Sequence, residues 1–366
     1  MMIIKTETLI TVLSKMLCAD IAGADYNATE LRGGTVGDVQ LVEGTAKTKN
    51  GIKYPYKIVL KTQEKWERPG DPHSWRREYD LYASGLGAIL PDTIRWPKSY
   101  HTEINGDEIQ IWMEYVDGVC GDGLSIEMLE QAAFELGRFQ GMLHSRPELL
   151  QDISNLGDTG YLKRDYEQWH TQAYSYEDII SYGPLPEYRK QALKDGRLRL
   201  LEGKSFEYSF LRSGECDIPQ HLKQMIFDID DNMDNLFKEI AGLPVVLCHR
   251  DFWIENIIYD NGKIRLIDWD TAGWGYLGED IASLISDDVD YDYFEELCQR
   301  LVPAYYKGIA EYMDISDVSN KFIREMILLK FGYRKVESYL FAETDEEKND
   351  MVRELQKIYD YSLIGC

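Results

Sequence analysis

The chain has 366 residues, 44% of them apolar and 28% charged, with a formal charge of −24, so it can bury about two full domain cores. No run of about 18 apolar residues exists to cross a membrane as a helix, and the first residues, Met1 to Glu7, lack the basic flank and apolar core of a signal peptide. The six cysteines are dispersed without a C-x-x-C pair, which reads as reduced thiols in a cytoplasmic protein with no zinc site.

In chain order, Leu41–Gly44 and Tyr56–Lys61 read as strands joined by a turn at Asn50-Gly51. Asp71-Pro72 is expected to open a helix with Trp75, Glu78, Tyr79 and Tyr82 on one face. A hairpin follows, His101–Glu103 against Ile109–Val116 across Asn105-Gly106. After Asp117-Gly118 the pattern becomes helical: Ser125 is placed to cap a long helix carrying Leu129, Ala132, Leu136, Phe139 and Leu143, ending at His144 before Pro147. Residues 150–240 read as mostly helical, broken at Gly183-Pro184 and Ser213-Gly214. Leu243–Cys248 is expected as a buried strand with Lys263–Ile267 as its hairpin partner across Asn261-Gly262, and helices occupy the chain beyond Asp280. These patterns predict a lobe of strands with one helix over 1–117 and a mainly helical lobe over 118–366.

One small set of residues carries chemistry. Asp251 follows the buried strand and sits in a loop, where its carboxylate can orient the proton of an attacking hydroxyl. Asn256, five residues on, and Asp268, at the end of the apolar Ile264–Ile267 run, offer hard oxygens for Mg²⁺. The bland reading is a hairpin with capping Asp and Asn residues; three such residues at this spacing favour phosphoryl transfer. Lys61 ends the strand Ile58–Lys61 and can reach phosphates, with Glu78, 17 residues later, as its orienting partner. Gly33, Gly34 and Gly37 precede a strand, where backbone N–H groups could approach phosphates. They match neither G-x-x-x-x-G-K-[ST] nor G-x-G-x-x-G, and glycine clusters also mark turns. His249 reads as a structural hydrogen-bonder, Asp280 as a brace of the loop, and Asp270 as either a second metal ligand or a solvated carboxylate.

The stretches His249-Arg250-Asp251 to Asn256, Ile267-Asp268-Trp269-Asp270, Gly278–Ala282 and Leu136–His144 together resemble the aminoglycoside phosphotransferase and choline kinase family on the protein-kinase-like fold. The resemblance spans roughly residues 28–290. It implies an α+β, two-lobed protein-kinase-like fold, with an antiparallel N-lobe sheet plus one helix and a mainly helical C-lobe. Lys61 and Glu78 match the kinase ion pair, and Met113–Gly118 resembles the hinge, where backbone groups of Glu114 and Val116 would hold adenine. Two departures stand out. Arg250 replaces the glycine often found after this histidine, and the Gly33–Gly37 stretch is loose against the family pattern. Between Asp268 and Asp280 there is no D-F-G, no A-P-E and too little chain for an activation loop, which disfavours a protein kinase.

The expected activity is transfer of the γ-phosphate of ATP (or GTP), with Mg²⁺, to a hydroxyl of a small molecule resembling an aminoglycoside, choline or an amino sugar. Residues 1–116 hold 14 Lys and Arg against 16 Asp and Glu, net −2, which leaves −22 on the remaining 250 residues. That field repels nucleic acid and anionic membranes, so neither is an expected partner. Most of it reads as solvated surface; the sharper reading is a site for a cation, with Trp169, Tyr174, Tyr176, Tyr182 and Trp274 as candidate cation–π partners. Two alternatives stay open: a nucleotide-binding pseudokinase acting through partners, and a nucleotidyl transferase on the same fold. The sequence is silent on oligomeric state.

Overall fold

The structure, a computed structural model, describes residues 4–31, 37–66, 71, 73–170, 201, 203–316, 318 and 321–361. Gly33 and Gly34, the Gly183-Pro184 break, and Tyr174, Tyr176 and Tyr182 lie outside the described residues. The chain divides into two compact units. One comprises residues 1–157, 254–273 and 307–313; the other comprises 158–253, 274–306 and 314–366.

The first unit is built on an antiparallel sheet. Its strands are β1 (Ile21–Ala24), β2 (Asn27–Glu30), β3 (Gly37–Thr48), β4 (Lys53–Glu64), β6 (Ser99–Asn105) and β7 (Glu108–Glu114). The order is β1-β3-β4-β7-β6, with β2 along β3. The β3–β4 turn needs Gly51 at φ +87°, and the β6–β7 turn needs Gly106 at φ +62°. Helix α1 (Thr6–Leu17) has no counterpart in the sequence reading. It buries Leu9, Val12 and Leu13 in the core formed by Val42, Ala46, Ile58, Leu60 and Trp112. Its apolar residues fall at helical spacing within a stretch short enough to pass for a strand.

Helix α2 (Arg77–Ala83) follows a 3₁₀ turn, Ser74–Arg76, and packs on β6 and β7. Asp71 does not open it. The Asp71 carboxylate instead receives both terminal nitrogens of Arg77 at 2.7 and 2.8 Å, and His73 at φ +63° turns the chain into the helix. Helix α3 (Ile126–His144) begins as expected, with Ser125 Oγ accepting the Met128 N–H at 3.4 Å.

A second sheet in this unit runs β5 (Ile94–Arg95), β10 (Lys263–Leu266), β9 (Ile257–Asp260). Here the expected pairing is corrected. Lys263–Leu266 pairs antiparallel with Ile257–Asp260, Leu266 opposite Ile257, whereas β8 (Val245–Cys248), in the other unit, pairs with β11 (Gly273–Tyr276). The reason is local. Asn261 and Gly262 both have positive φ, 48° and 85°, the signature of a two-residue hairpin turn, which joins only the strands flanking it.

The second unit is helical around the β8–β11 ribbon. Its described helices are α4 (Tyr161–Glu167), α5 (Phe206–Leu211), α6 (Gln220–Asp231), α7 (Met233–Ile240), α8 (Glu279–Leu284), α9 (Phe294–Ile309, whose last turn falls in the first unit), α10 (Lys321–Ile327), α11 (Tyr333–Phe341) and α12 (Asp345–Tyr361). A π-helical turn, Leu328–Gly332, joins α10 to α11. Among the described residues, no helix is long and apolar enough to cross a membrane.

Candidate active site

In the first unit β4 turns Tyr56, Ile58 and Leu60 into the core shared with α1, and Lys61, on the opposite face of the strand, is buried as well, its side chain 11% exposed. Lys61 Nζ donates to Glu78 Oε2 at 2.5 Å and to Asp268 Oδ1 at 2.7 Å. Burial by itself would lower the lysine's proton affinity, but the Glu78 and Asp268 charges outweigh it and hold the ammonium charged well above the usual range. For Glu78, burial raises the pKa, the Lys61 charge opposes that, and Asp268 adds to it. The second Glu78 oxygen, Oε1, accepts the Trp269 N–H at 3.4 Å. One helix carboxylate thus holds both the lysine and the backbone beside Asp268.

Asp268 has φ +64°. Its neighbour Trp269 is completely buried: the indole N–H donates to Leu266 O at 2.8 Å, and the ring packs edge-on to Trp96 at 5.4 Å and against Phe139 at 5.8 Å. Burial of this ring fixes the turn that presents Asp268. Asn256 precedes β9, and its carbonyl accepts the Ile267 N–H at 3.1 Å. The β9–β10 hairpin therefore brings Asn256 and Asp268 to one end. Two oxygen donors, one of them a carboxylate, suit Mg²⁺, which takes few protein ligands and completes its shell with phosphate oxygens and water.

Other sequence candidates in this unit are placed as follows. Gly37 opens β3 opposite Gln63, and a Cβ there would come within 2.5 Å of Thr62 O, so close strand approach already requires a glycine. Glu114 ends β7; its N–H donates to Lys98 O at 2.9 Å, so any adenine contact from this residue falls to its carbonyl. Val116, two residues further on, is half-buried. Asp270 is buried, not solvated.

The sequence reading missed Arg77. Buried beside Glu78, its guanidinium binds Asp71, Asn155 O at 2.8 Å and Asp270 O at 3.0 Å. It therefore ties α2 to the chain just past Asp268. Its carbonyl partners lie 78 and 193 residues away in sequence, so no local pattern could have exposed them.

In the second unit, β8 delivers His249, Arg250 and Asp251. Asp280, fully buried at the start of α8, accepts the His249 N–H at 2.8 Å and the Arg250 N–H at 2.7 Å, the bracing expected of it. Arg250 has φ +71°, a region costly by about 1–2 kcal/mol to a side chain with a Cβ and open to glycine without that cost. The arginine is held by its own head group. Its guanidinium donates to Asp158 O at 2.6 Å and Trp274 O at 2.7 Å and lies 4.4 Å over the Tyr161 ring. Asp251 is half-buried. Asp287, three residues past α8, is a second carboxylate within its field: burial raises the Asp287 pKa, Arg334 and Lys330 oppose this, and the Asp251 charge adds to it.

A strand lysine paired to a helix carboxylate, and a hairpin offering Asn and Asp oxygens, are the parts of a phosphoryl-transfer protein on a kinase-like fold. Comparison with known proteins agrees. The model of the phosphotransferase enzyme family matches residues 59–314, and the chain belongs to that family. The choline kinase of Cryptosporidium parvum shares its fold, with a TM-score of 0.53 at 16% identity over 93% of this chain and 92% of that one. Mouse ethanolamine kinase 1 is 34% identical over 124 residues, 31% of this chain and 33% of that protein. The N-acetylmuramate/N-acetylglucosamine kinase of Neisseria meningitidis is 23% identical over 201 residues, 53% of this chain and 60% of that protein. The proteins it resembles are small-molecule kinases, and the chain spans about a third of the mouse protein's length and three-fifths of the bacterial one's.

Proposed function

We propose that the protein is an ATP- and Mg²⁺-dependent kinase that phosphorylates a hydroxyl of a small amine-bearing molecule: an amino alcohol, an amino sugar or an aminoglycoside. The observation that carries this reading is the buried Lys61–Glu78–Asp268 arrangement, with contacts of 2.5 and 2.7 Å, in a chain of the phosphotransferase family. In this reading residues 1–117 bind the nucleotide, with Lys61 on the phosphates, Glu78 orienting it, the Gly33, Gly34 and Gly37 stretch near them, and Glu114 and Val116 at adenine. Asn256 and Asp268 would hold Mg²⁺, which neutralises developing phosphate charge when bound. Residues 118–366 supply the catalytic loop and the acceptor region. Asp251 receives the acceptor's hydroxyl proton while the hydroxyl oxygen bonds to the γ-phosphorus. The bond from that phosphorus to the bridging oxygen breaks, and ADP leaves with its electron pair.

The amine preference is supported by the −22 charge of the C-terminal 250 residues, by the Asp287 carboxyl, whose pKa the Asp251 charge helps to raise, and by the substrates named for the mouse and Cryptosporidium relatives. The test is ADP release from Mg²⁺-ATP against a panel of amino alcohols, aminoglycosides, amino sugars, neutral sugars and nucleosides, with Asp251→Asn as control. We expect amine-dependent ADP release, a phosphate mass gain on the acceptor, and loss of about 10²–10⁴-fold in the control. Asp287→Asn should raise KM for an amine acceptor and leave KM for ATP unchanged. A neutral sugar as best acceptor would sink the amine preference; an AMP-bearing product would make the protein a nucleotidyl transferase. Nucleotide binding with no turnover on any acceptor would favour a partner-acting pseudokinase.

A further inference from the structure

A lysine is buried beside the candidate catalytic loop, and the reaction scheme above does not use it. Lys330 is the middle residue of the π-helical turn Leu328–Gly332, and every residue of that turn is buried. A π turn widens the helix locally and redirects the side chains it carries, and such turns cluster at functional sites. Here the redirected side chain is an ammonium group, one of the costliest to take out of water without partners. Lys330, 7% exposed, donates from Nζ to the carbonyl oxygen of Arg250 at 3.1 Å.

That carbonyl belongs to the peptide joining Arg250 to Asp251. The same residue's N–H is held by Asp280 Oδ1 at 2.7 Å. Arg250 is thus gripped at both backbone polar groups, by a carboxylate on one side and an ammonium on the other, while its φ sits at the unfavourable +71°. Rotation of the Arg250–Asp251 peptide, about ψ of Arg250 and φ of Asp251, would break the hydrogen bond from Lys330 Nζ. The same rotation would turn the Asp251 backbone and swing its carboxylate away from its present direction. The carboxylates of Glu279 and Asp287 also lie in the field of Lys330, so the ammonium is charge-compensated where it sits.

We infer that Lys330 is a positioning residue for the reaction: it fixes the orientation of the Arg250–Asp251 peptide and thereby the aim of Asp251. The inference rests on the reading of Asp251 as the residue that receives the acceptor's proton. It differs from a purely stabilising role because a loosened loop lowers turnover while nucleotide binding survives.

The experiment compares Lys330→Met, Lys330→Arg and Asp251→Asn in the full chain, using Mg²⁺-ATP and the panel acceptor that the unmodified protein turns over fastest. Binding of AMP-PNP and hydrogen–deuterium exchange across residues 248–253 are followed in parallel. For Lys330→Met we expect kcat to fall about 10²-fold, the scale of a misplaced catalytic group, with AMP-PNP affinity unchanged and faster exchange in the loop. Lys330→Arg, which keeps a cationic donor, should recover most of kcat and slow the exchange again. Should Lys330→Met fail to fold, Lys330→Gln, which keeps a neutral donor, takes its place. Unmodified kcat and loop exchange in the folded variant, alongside an inactive Asp251→Asn, would overturn the positioning role alone. Full activity in Asp251→Asn would instead overturn the catalytic reading on which it rests.

Discussion

The turns at Asp268 and Arg250 solve the same problem by different means. Both residues are left-handed, at φ +64° and +71°, neither is glycine, and each adjoins a candidate functional position or occupies one. The Asp268 turn combines apolar packing, with Trp269 buried against Trp96 and Phe139, with buried charge from Lys61, Glu78 and Arg77 on residues 268–270. The Arg250 turn is anchored by buried charge: Asp280 on two N–H groups, Lys330 on the carbonyl, and the guanidinium on two further carbonyls. Packing holds a turn through shape, and it tolerates changes in pH or salt. Buried ions hold it through direction, and they fail sharply when one member is removed.

Four measurements test this contrast. The largest effect is expected from Trp269→Ala, which should cost about 3–5 kcal/mol of stability in chemical denaturation and weaken nucleotide binding through the Asp268 turn. A cost under about 1 kcal/mol would mean that the ring is not the anchor. Asp280→Asn keeps the size of the side chain but offers only one acceptor oxygen to two N–H groups. It should cost about 1–3 kcal/mol and lower kcat more than it raises KM for ATP. Within the Arg250 turn, the strain itself is isolated by comparing two truncations. Arg250→Gly should be more stable than Arg250→Ala by about 1 kcal/mol, and equal stability would place the residue outside the left-handed region.

The smallest effect is a pH dependence elsewhere in the second unit. Burial would raise the Asp230 pKa, but hydrogen bonds from His170, Tyr166, Arg212 and Tyr333 outweigh it and hold the carboxyl below the usual range. With the folded value depressed, its stabilisation is present above the unfolded value of about 3.9 and is lost as pH falls through the folded value. Unfolding monitored between pH 6 and pH 3 should therefore show a loss of stability that Asp230→Asn reduces. Identical pH profiles for the two proteins would remove Asp230 from the account.

Much of the local architecture was legible before any coordinates. Strand and turn chemistry placed the β3–β4 and β6–β7 hairpins, and Ser125 marked the start of α3. The spacing of Asp251, Asn256 and Asp268, with Lys61 and Glu78 upstream, pointed to one chemistry. Strand pairing is not local: the pattern pairs Lys263–Ile267 with residues 243–248, whereas the fold pairs Lys263–Leu266 with the adjacent Ile257–Asp260 across Asn261-Gly262. Helix α1 went unread because a short apolar stretch does not declare its period. The π turn went unread because its residues look like any buried helix.

Elements with local causes, the hairpin turns and the helix cap, were readable from residue order alone, and residue types singled out candidate donors for phosphate and Mg²⁺. Which backbone groups the buried charges hold follows from the fold. Arg77 meets Asp270 O across 193 residues and Lys330 meets Arg250 O across 80. A buried ion takes whatever partner the fold delivers to it, because leaving it unpaired costs several kcal/mol. That partner is chosen by packing over the whole unit, and the few residues on either side of the ion carry no trace of it.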